Sequence, residues 1–214
     1  DDSRRDPSPA RTAAPAVDVV FTLDNSGSMR AHDPAFLARA AVLAFAEDLA
    51  TRAAQERFEA RIAVVLFDDD VELVLPPTRL PADGAAALLA PALARLDYSG
   101  ARTRSADGVE RALYALRDAQ SASTRQAIIL LTDGVVDTGD PARDRRAETW
   151  LREDLAGESR DRRIPIFGLA FTDRADYQLL QAVARKTGAD YYRAARADEL
   201  AGIGTQILAR VLTA

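Results

Sequence analysis

The chain has 214 residues, a formal net charge of −5 and a pI near 5.0, and 48% of its residues are hydrophobic. This length suffices for one α/β domain with a sizeable core, and the acidic charge balance disfavours nucleic acid as a partner. Because the chain contains no cysteine and one histidine, disulfides, iron–sulfur clusters and histidine-rich metal sites are excluded. Any bound metal ion would have to be held mainly by oxygen.

The N-terminal segment, Asp1–Ala16, combines proline, arginine, alanine and aspartate without apolar periodicity. We interpret it as a disordered linker, since it also lacks the apolar central stretch of a signal peptide. No window of the sequence approaches the ~20 consecutive apolar residues of a membrane-spanning helix. We therefore expect a single domain over residues 17–214 that does not itself insert into a membrane, although a tether outside this sequence would be compatible with it.

Four nearly continuous apolar runs predict strands that are buried on both faces, as in a mainly parallel sheet. These runs are Val17–Leu23, Ala60–Phe67, Ala127–Thr132 and Ile164–Phe171. The segment Val71–Leu75 follows the turn residues Asp68–Asp70, so it predicts an antiparallel edge strand that is reached through a hairpin. A short last strand is predicted at Asp190–Tyr192.

Helical patterns lie between and after these strands. The first is predicted after Pro34, and the others are Ala85–Leu96, Val109–Ala119, Arg143–Leu155, Tyr177–Thr187 and Asp198–Leu212. Strands and helices that alternate along the whole chain favour one doubly wound, three-layer α/β domain of Rossmann-like architecture.

Polar side chains follow two of the predicted parallel strands. The first strand is followed by Asp24, Ser26 and Ser28 in a glycine-containing turn, and a later strand is followed by Asp133. Ligands of open parallel sheets bind beyond the carboxyl ends of the strands, and Thr103 offers a further hydroxyl in a loop before a helix. Carboxylates and hydroxyls suit Mg²⁺, Mn²⁺ or Ca²⁺, and magnesium is the default expectation. An ion that keeps an open coordination position would attract an external carboxylate.

The pattern Asp24-x-Ser26-x-Ser28, with Thr103 and then Thr132-Asp133-Gly134 later in the chain, resembles the metal-ion-dependent adhesion site of von Willebrand factor A domains. The resemblance extends over essentially all of residues 17–213. The segment 163–170, followed by a helix and by residues 188–192, is also similar to the closing strand, helix and strand of bacterial members.

The resemblance implies specific roles for these residues. Ser26, Ser28 and Thr103 would be hydroxyl ligands, and Asp24 and Asp133 would hold the ion directly or through water. An acidic residue of a partner protein would fill the sixth position. The resemblance also implies a six-stranded sheet in the order 3-2-1-4-5-6, which makes strands one and four neighbours and brings Asp24 close to Asp133.

Simpler structural roles remain open for several polar residues. Asp24 could cap a turn, and Ser26 or Ser28 could cap the helix expected after Pro34. Solvated loop positions are favoured for Asp137 and Asp140, a hairpin turn for Asp68–Asp70, and a surface or capping position for His32. Packing roles are favoured for Trp150, Tyr191 and Tyr192. Arg102 and Arg104 flank Thr103 and could either steer an acidic partner or be ordinary solvated charges.

The predicted function is divalent-cation-dependent protein binding without catalysis, in adhesion or assembly. One alternative is Mg²⁺-dependent phosphoryl transfer, and three features of the sequence disfavour it. Ser26 stands where haloacid-dehalogenase-like phosphatases have a second Asp, and Lys186 lies in a helical stretch, whereas response-regulator receivers need a lysine at a late strand end. The Gly-x-x-x-x-Gly-Lys loop that binds nucleotide phosphates is also absent from the sequence. Another alternative is an assembly module whose ion only stabilises the loops. The proline-rich start and the resemblance favour the cell envelope or exterior, with the cytoplasm as the alternative.

Overall fold

The computed structural model describes residues 15–117, 123–133, 136–170, 177–194 and 199–213. The predicted linker, Asp1–Ala16, lies outside the described residues apart from its last two, and Ala16 already begins the first strand. The strands are β1 (Ala16–Asp24), β2 (Glu59–Phe67), β3 (Val71–Arg79), β4 (Thr124–Thr132), β5 (Ile166–Ala170) and β6 (Tyr191–Arg193).

The six strands form one sheet in the order β3-β2-β1-β4-β5-β6. All neighbours are parallel except β2 and β3, which are antiparallel. This arrangement confirms the predicted strand order and the antiparallel edge. Every residue of β1 and β5 is buried, as expected for apolar runs that are covered on both faces.

The edge strand β3 is longer than predicted, because it continues past Leu75 to Arg79 and includes Pro76 and Pro77. Proline cannot donate a backbone hydrogen bond, but an edge strand leaves half of its backbone groups unpaired and tolerates it. The pairing of β2 with β3 also shifts in register on both sides of Val64. Local sequence rules stop a strand at proline, so the prediction ended too early.

Eight α-helices lie in the described residues: α1 (Met29–His32), α2 (Leu37–Glu56), α3 (Ala85–Leu93), α4 (Ser105–Ala115), α5 (Pro141–Trp150), α6 (Ala156–Asp161), α7 (Tyr177–Lys186) and α8 (Glu199–Thr213). A π-helical turn, Leu151–Leu155, joins α5 to α6. The predicted helix at Arg143–Leu155 was therefore too short at both ends. The side chain of Asp140 caps α5 by accepting from Ala142 N and Arg143 N, which starts the helix at Pro141.

Other helix boundaries also differ from the prediction. The helix α4 begins at Ser105 rather than Val109, and α3 ends at Leu93 rather than Leu96. The helix α4 also ends at Ala115 rather than Ala119, because Leu116 and Arg117 already lie in a turn. The predicted end of β5 at Phe171 and the predicted start of α8 at Asp198 lie outside the described residues. No helix in the described ranges is both long and apolar enough to cross a membrane.

Helices cover both faces of the sheet and form two hydrophobic cores. One core packs α2, α3 and α8 against residues of β1 that include Val19 and Phe21. The other packs α4, α7 and the α5–α6 helical segment against the opposite face, where Val20 lies. Alternate strand residues share a face, so Asp18, Thr22 and Asp24 lie on the same side as Val20 and α4.

Candidate metal-binding site

Asp24 is the last residue of β1 and is completely buried. Its Oδ1 accepts from the Ser26 backbone N–H at 2.9 Å, and its Oδ2 accepts from the Thr132 hydroxyl at 2.5 Å. Burial raises the pKa of Asp24 from 3.8 to about 6, although hydrogen bonds from Ser26 and Thr132 act in the opposite direction. Thr132 ends β4, so neighbouring strands place both residues at one carboxyl edge.

Ser26 and Ser28 connect this edge to Asp133. The two serine hydroxyls are 3.0 Å apart, and the Ser28 hydroxyl donates to Asp133 Oδ1 at 3.0 Å. Asp133 is buried and follows β4 directly. Four of the five predicted site residues therefore form one hydrogen-bonded network, and their approach follows from the pairing of β1 with β4.

Thr103 belongs to the adjoining loop and is also buried. Its backbone pairs with Asp137 through two hydrogen bonds of 2.8 and 3.0 Å. Three residues earlier, Gly100 forms a bridge with Ser26 and accepts from the Gly27 N–H at 2.7 Å. The loop of Thr103 is thus fixed at both ends against the segments that carry the other four residues.

Asn25 organises this loop, a role that the sequence reasoning did not assign. Its Oδ1 accepts from the backbone N–H groups of Asp97 and Tyr98, both at 2.8 Å. Its Nδ2 donates to Asp68 Oδ2 at 2.9 Å and to Asp97 Oδ1 at 3.2 Å. No periodicity or motif could indicate this role, because the partners are more than 40 residues away.

His32 also belongs to the site, contrary to the surface or capping position that was favoured for it. Its Nδ1 lies 2.6 Å from Asp133 Oδ2. The short helix α1 turns the chain after Ser28 so that His32 faces the end of β4. The four-residue separation from Ser28 is a helical i,i+4 spacing, which was the available signal.

The simpler capping roles go to other residues. Ser28 stands at the N-terminus of α1 without a side-chain capping bond, because its hydroxyl is directed to Asp133. The helix α2 is capped instead by Asp33, whose carboxylate accepts from the N–H groups of Leu37 and Ala38. Asp33 also accepts from the buried Tyr98 hydroxyl at 2.6 Å, which anchors the same loop.

The acidic run Asp68–Asp70 forms the turn between β2 and β3, as predicted. Asp68 accepts from the Asp70 N–H at 3.0 Å, and Asp69 accepts from the Ala101 N–H at 2.6 Å. A Cβ atom added to Gly100 would lie 2.2 Å from the Asp68 Cβ. Glycine is therefore required at position 100 by the close approach of this turn.

The donor chemistry of the site fits a hard divalent cation. Within the described residues, no three His, Cys, Asp or Glu side chains are grouped so that they could hold a metal ion by themselves, so hydroxyls would have to contribute. The site offers two carboxylates and the hydroxyls of Ser26, Ser28 and Thr103. Oxygen donors of this kind suit Mg²⁺, Mn²⁺ or Ca²⁺. Asp24 also has a raised pKa, and both of its oxygens accept from uncharged donors in the described residues. A nearby cation would stabilise its charged form.

The sheet order and the polar network at its carboxyl edge define an α/β domain of the doubly wound class with a candidate ligand site at the expected place. The family model of the von Willebrand factor type A domain matches residues 18–206. The chain belongs to this family.

Solved structures share the fold at low sequence identity. The PilB minor pilin from Streptococcus sanguinis is 15% identical, with a TM-score of 0.72 over 95% of this chain and 63% of that chain. A von Willebrand factor type A protein from Catenulispora acidiphila is 22% identical, with a TM-score of 0.66 over 94% and 43% of the two chains. The pilus adhesin SpaC from Lactobacillus rhamnosus GG is 16% identical, with a TM-score of 0.66 over 95% and 30%. Comparison with curated proteins finds no match.

Proposed function

We propose that this domain binds a protein partner through a divalent cation, with Mg²⁺ as the first candidate and Mn²⁺ or Ca²⁺ as alternatives. Asp24, Ser26, Ser28, Thr103 and Asp133 would hold the ion, which supplies positive charge for an Asp or Glu of the partner. The chain's own residues orient the donors: Thr132 and the Ser26 N–H fix Asp24, and Ser28 and His32 fix Asp133.

The observation that carries this proposal is the hydrogen-bonded network of Asp24, Ser26, Ser28 and Asp133. Two buried carboxylates converge there, and the charge of Asp133 further raises the pKa of Asp24. Buried like charges are costly unless a cation or proton offsets them. The pilin and the pilus adhesin with the same fold make adhesion or assembly at the cell envelope or exterior the preferred setting.

Binding is favoured over phosphoryl transfer by the state of Asp24. A phosphoryl acceptor needs an accessible carboxylate oxygen, whereas Asp24 is completely buried and both of its oxygens accept hydrogen bonds. We therefore propose that the domain is not an enzyme. Incubation of the purified chain with acetyl phosphate or a phosphomonoester tests this, and either a phosphorylated Asp24 or turnover would contradict it.

The main experiment is calorimetric titration of the chain with MgCl₂, MnCl₂ and CaCl₂, followed by affinity capture from the source organism with and without chelator. We expect uptake of one ion and recovery of a partner only in its presence. Ser26→Ala should abolish both effects while circular dichroism stays unchanged.

Ser123→Ala is the matched control, because Ser123 is an exposed serine that directly precedes β4, at the end of the sheet away from the site. It should behave like the native chain. Partner recovery that is unaffected by chelator would overturn the proposal. If the ion raises the melting temperature but leaves partner affinity unchanged, the alternative of a purely stabilising metal is correct.

A further inference from the structure

A pocket of about 520 Å³ lies beside the candidate metal-binding site. Four arginines line it, Arg102, Arg104, Arg143 and Arg146, and we call it the arginine pocket. The acidic side chains in its lining are Asp69 and Asp107. Four positive and two negative charges give the lining a formal charge of +2, whereas the whole chain carries −5. The lining of the pocket is thus more positive than the chain as a whole, and Asp137 and Asp140 lie just outside it, within 4 Å of Arg102 and Arg143.

One wall of the arginine pocket is a single face of α5. Arg143, Arg146, Ala147 and Trp150 line it, and they follow the i, i+3, i+4, i+7 spacing of one helical face. Trp150 is half-buried against the core beneath it. Its ring and Ala147 add apolar surface to a wall whose outer part is cationic.

The other wall is the loop of Thr103. Arg102 and Arg104 stand on either side of Thr103, and Thr138 also lines the pocket next to Asp137, the backbone partner of Thr103. The Arg102 guanidinium lies against Gly139, where an added Cβ would be 2.2 Å from its Nη1. Gly139 has a φ of 79°, a further reason for glycine there. The pocket is therefore continuous with the segment that carries a site hydroxyl.

The positive charges of this pocket differ in how far they are already neutralised. Arg104 donates to both oxygens of Asp107, at 3.0 and 3.2 Å. Arg143 is 70% exposed and lies 3.7 Å from Asp140, and Arg102 is 46% exposed and lies 3.8 Å from Asp137. Such long, exposed ion pairs contribute little, so these guanidinium groups can exchange their partners for an incoming carboxylate. Arg146 is exposed on the same wall.

We propose that the arginine pocket binds an acidic segment of the same partner whose carboxylate reaches the metal site. This inference rests on the proposed function and specifies the partner: besides the metal-binding residue, it presents a neighbouring stretch of Asp or Glu with an apolar side chain for Trp150. Guanidinium groups bind carboxylates through paired hydrogen bonds, and two contacts on one segment reinforce each other. The continuity of the pocket with the loop of Thr103 is what links the two contacts.

A peptide is favoured over nucleic acid, because the negative net charge of the chain opposes a long polyanion outside this confined region.

The test uses a fluorescein-labelled hexaglutamate peptide, and its affinity is measured by fluorescence anisotropy in MgCl₂ and in chelator. The double variant Arg143→Gln with Arg146→Gln removes charge from the pocket without touching any proposed metal donor. The matched control is Arg79→Gln with Arg160→Gln, which removes two exposed arginines outside the pocket.

We expect the pocket variant to bind hexaglutamate roughly three- to thirtyfold more weakly than the native chain, and the control variant to change affinity less than about twofold. The defect should persist in chelator and shrink at high salt. Equal affinities of the two variants would overturn the inference, and so would absence of hexaglutamate binding by the native chain. Tighter binding of oligothymidylate or of phosphatidylglycerol vesicles through the same arginines would also overturn it.

The experiment separates this inference from the proposed function. If chelator weakens hexaglutamate binding but the pocket variant binds as tightly as the native chain, the metal site is supported and the pocket is rejected. If the pocket variant weakens binding and chelator does not, the pocket is supported as an acidic-peptide site and the metal dependence is rejected.

Discussion

Strand β1 buries two aspartates on the same face, and their surroundings differ. Asp18 is 1% exposed and accepts from Arg61 at 2.7 and 3.1 Å and from Gln126 at 3.3 Å. Asp24, six residues later, is 0% exposed and accepts from a backbone N–H and a hydroxyl. Burial raises the pKa of both carboxyl groups. In Asp18 the guanidinium of Arg61 opposes this effect, whereas in Asp24 the charge of Asp133 adds to it.

This difference separates a structural carboxylate from a candidate functional one. Asp18 has its cation within the protein, because the strand register pairs it with Arg61 on β2 and Gln126 on β4. Among the described residues, Asp24 accepts hydrogen bonds from uncharged donors, and it lies at the edge of the sheet where ligands bind. A buried carboxylate in such surroundings would be stabilised by a proton or by a bound cation.

Arg61→Ala should lower the free energy of unfolding by about 3 kcal/mol or more, because it leaves Asp18 buried without its cation. Mg²⁺ affinity should stay unchanged, since Asp18 lies at the other end of β1. Urea unfolding and calorimetric titration measure the two quantities. Arg79→Ala is the control: Arg79 pairs with Arg61 across β2 and β3 but is 74% exposed, so little loss is expected. A loss of Mg²⁺ binding in Arg61→Ala would contradict the separation of the two regions.

The stability of the chelated protein should fall as pH rises through the raised pKa of Asp24. A carboxyl group whose pKa is 3.8 when unfolded and about 6 when folded binds more protons in the folded state between these values, so its contribution is full below 3.8 and lost above about 6. The shift of the pKa from 3.8 to about 6 corresponds to at most about 3 kcal/mol in the free energy of unfolding. Thermal unfolding across this pH range checks the sign.

Asp24→Asn isolates the contribution of this one residue. The variant should lack the Asp24 part of the pH dependence, although the part from Asp18, which has the same sign, should remain. In the presence of chelator and at a pH above the raised pKa of Asp24, the variant should be more stable than the native chain. MgCl₂ should stabilise the native chain and leave the stability of the variant unchanged. Identical pH profiles for the two proteins would show that Asp24 is not the group responsible.

Gly100→Ala should cost about 2 kcal/mol and weaken Mg²⁺ binding, because its Cβ would overlap the Asp68 side chain and displace the loop of Thr103. Gly157→Ala is the matched control, since nothing lies within 4 Å of an added Cβ there. Urea unfolding and Mg²⁺ titration of both variants provide the comparison. Unchanged metal affinity in a destabilised Gly100→Ala would argue that Thr103 is not a ligand.

The smallest effect is expected for His32→Ala, which removes the contact with Asp133 Oδ2. Groups that orient a metal ligand typically influence affinity about tenfold or more, and because His32 is 31% exposed we expect about tenfold or less. Arg30→Ala, on the same turn of α1, is the control. Stronger Mg²⁺ binding in His32→Ala would mean that His32 competes with the ion instead of orienting its ligand.

Much of the fold was predictable because its strands are apolar runs with clear limits. The buried strands β1, β2 and β4 and the antiparallel edge agree with the prediction from these runs, and the sheet order agrees with the one that the family resemblance implied. The errors fall at element boundaries, such as β3 beyond Pro76 and α5 before Arg143. There, an edge position and a capping aspartate overrode local propensity.

The candidate site was predictable in its residue types and less so in its surroundings. The spacing of Asp24, Ser26 and Ser28 marked the site within one segment. The contribution of Asn25 depends on partners in other segments, for which a single sequence carries no signal. For His32 the sequence carried only its i,i+4 spacing from Ser28, and the contact with Asp133 comes from the fold. The metal role of the five residues stays a prediction.

From the sequence alone came the alternation of buried strands with helices, the absence of cysteine, and an oxygen-rich motif after the first strand. These are local properties, set by residue type and by the period of the backbone. Only the tertiary structure decided which buried aspartate receives an arginine and which does not, and that four arginines from two segments share one pocket. Such contacts depend on strand register and on crossover connections, which bring together residues that are distant in the chain.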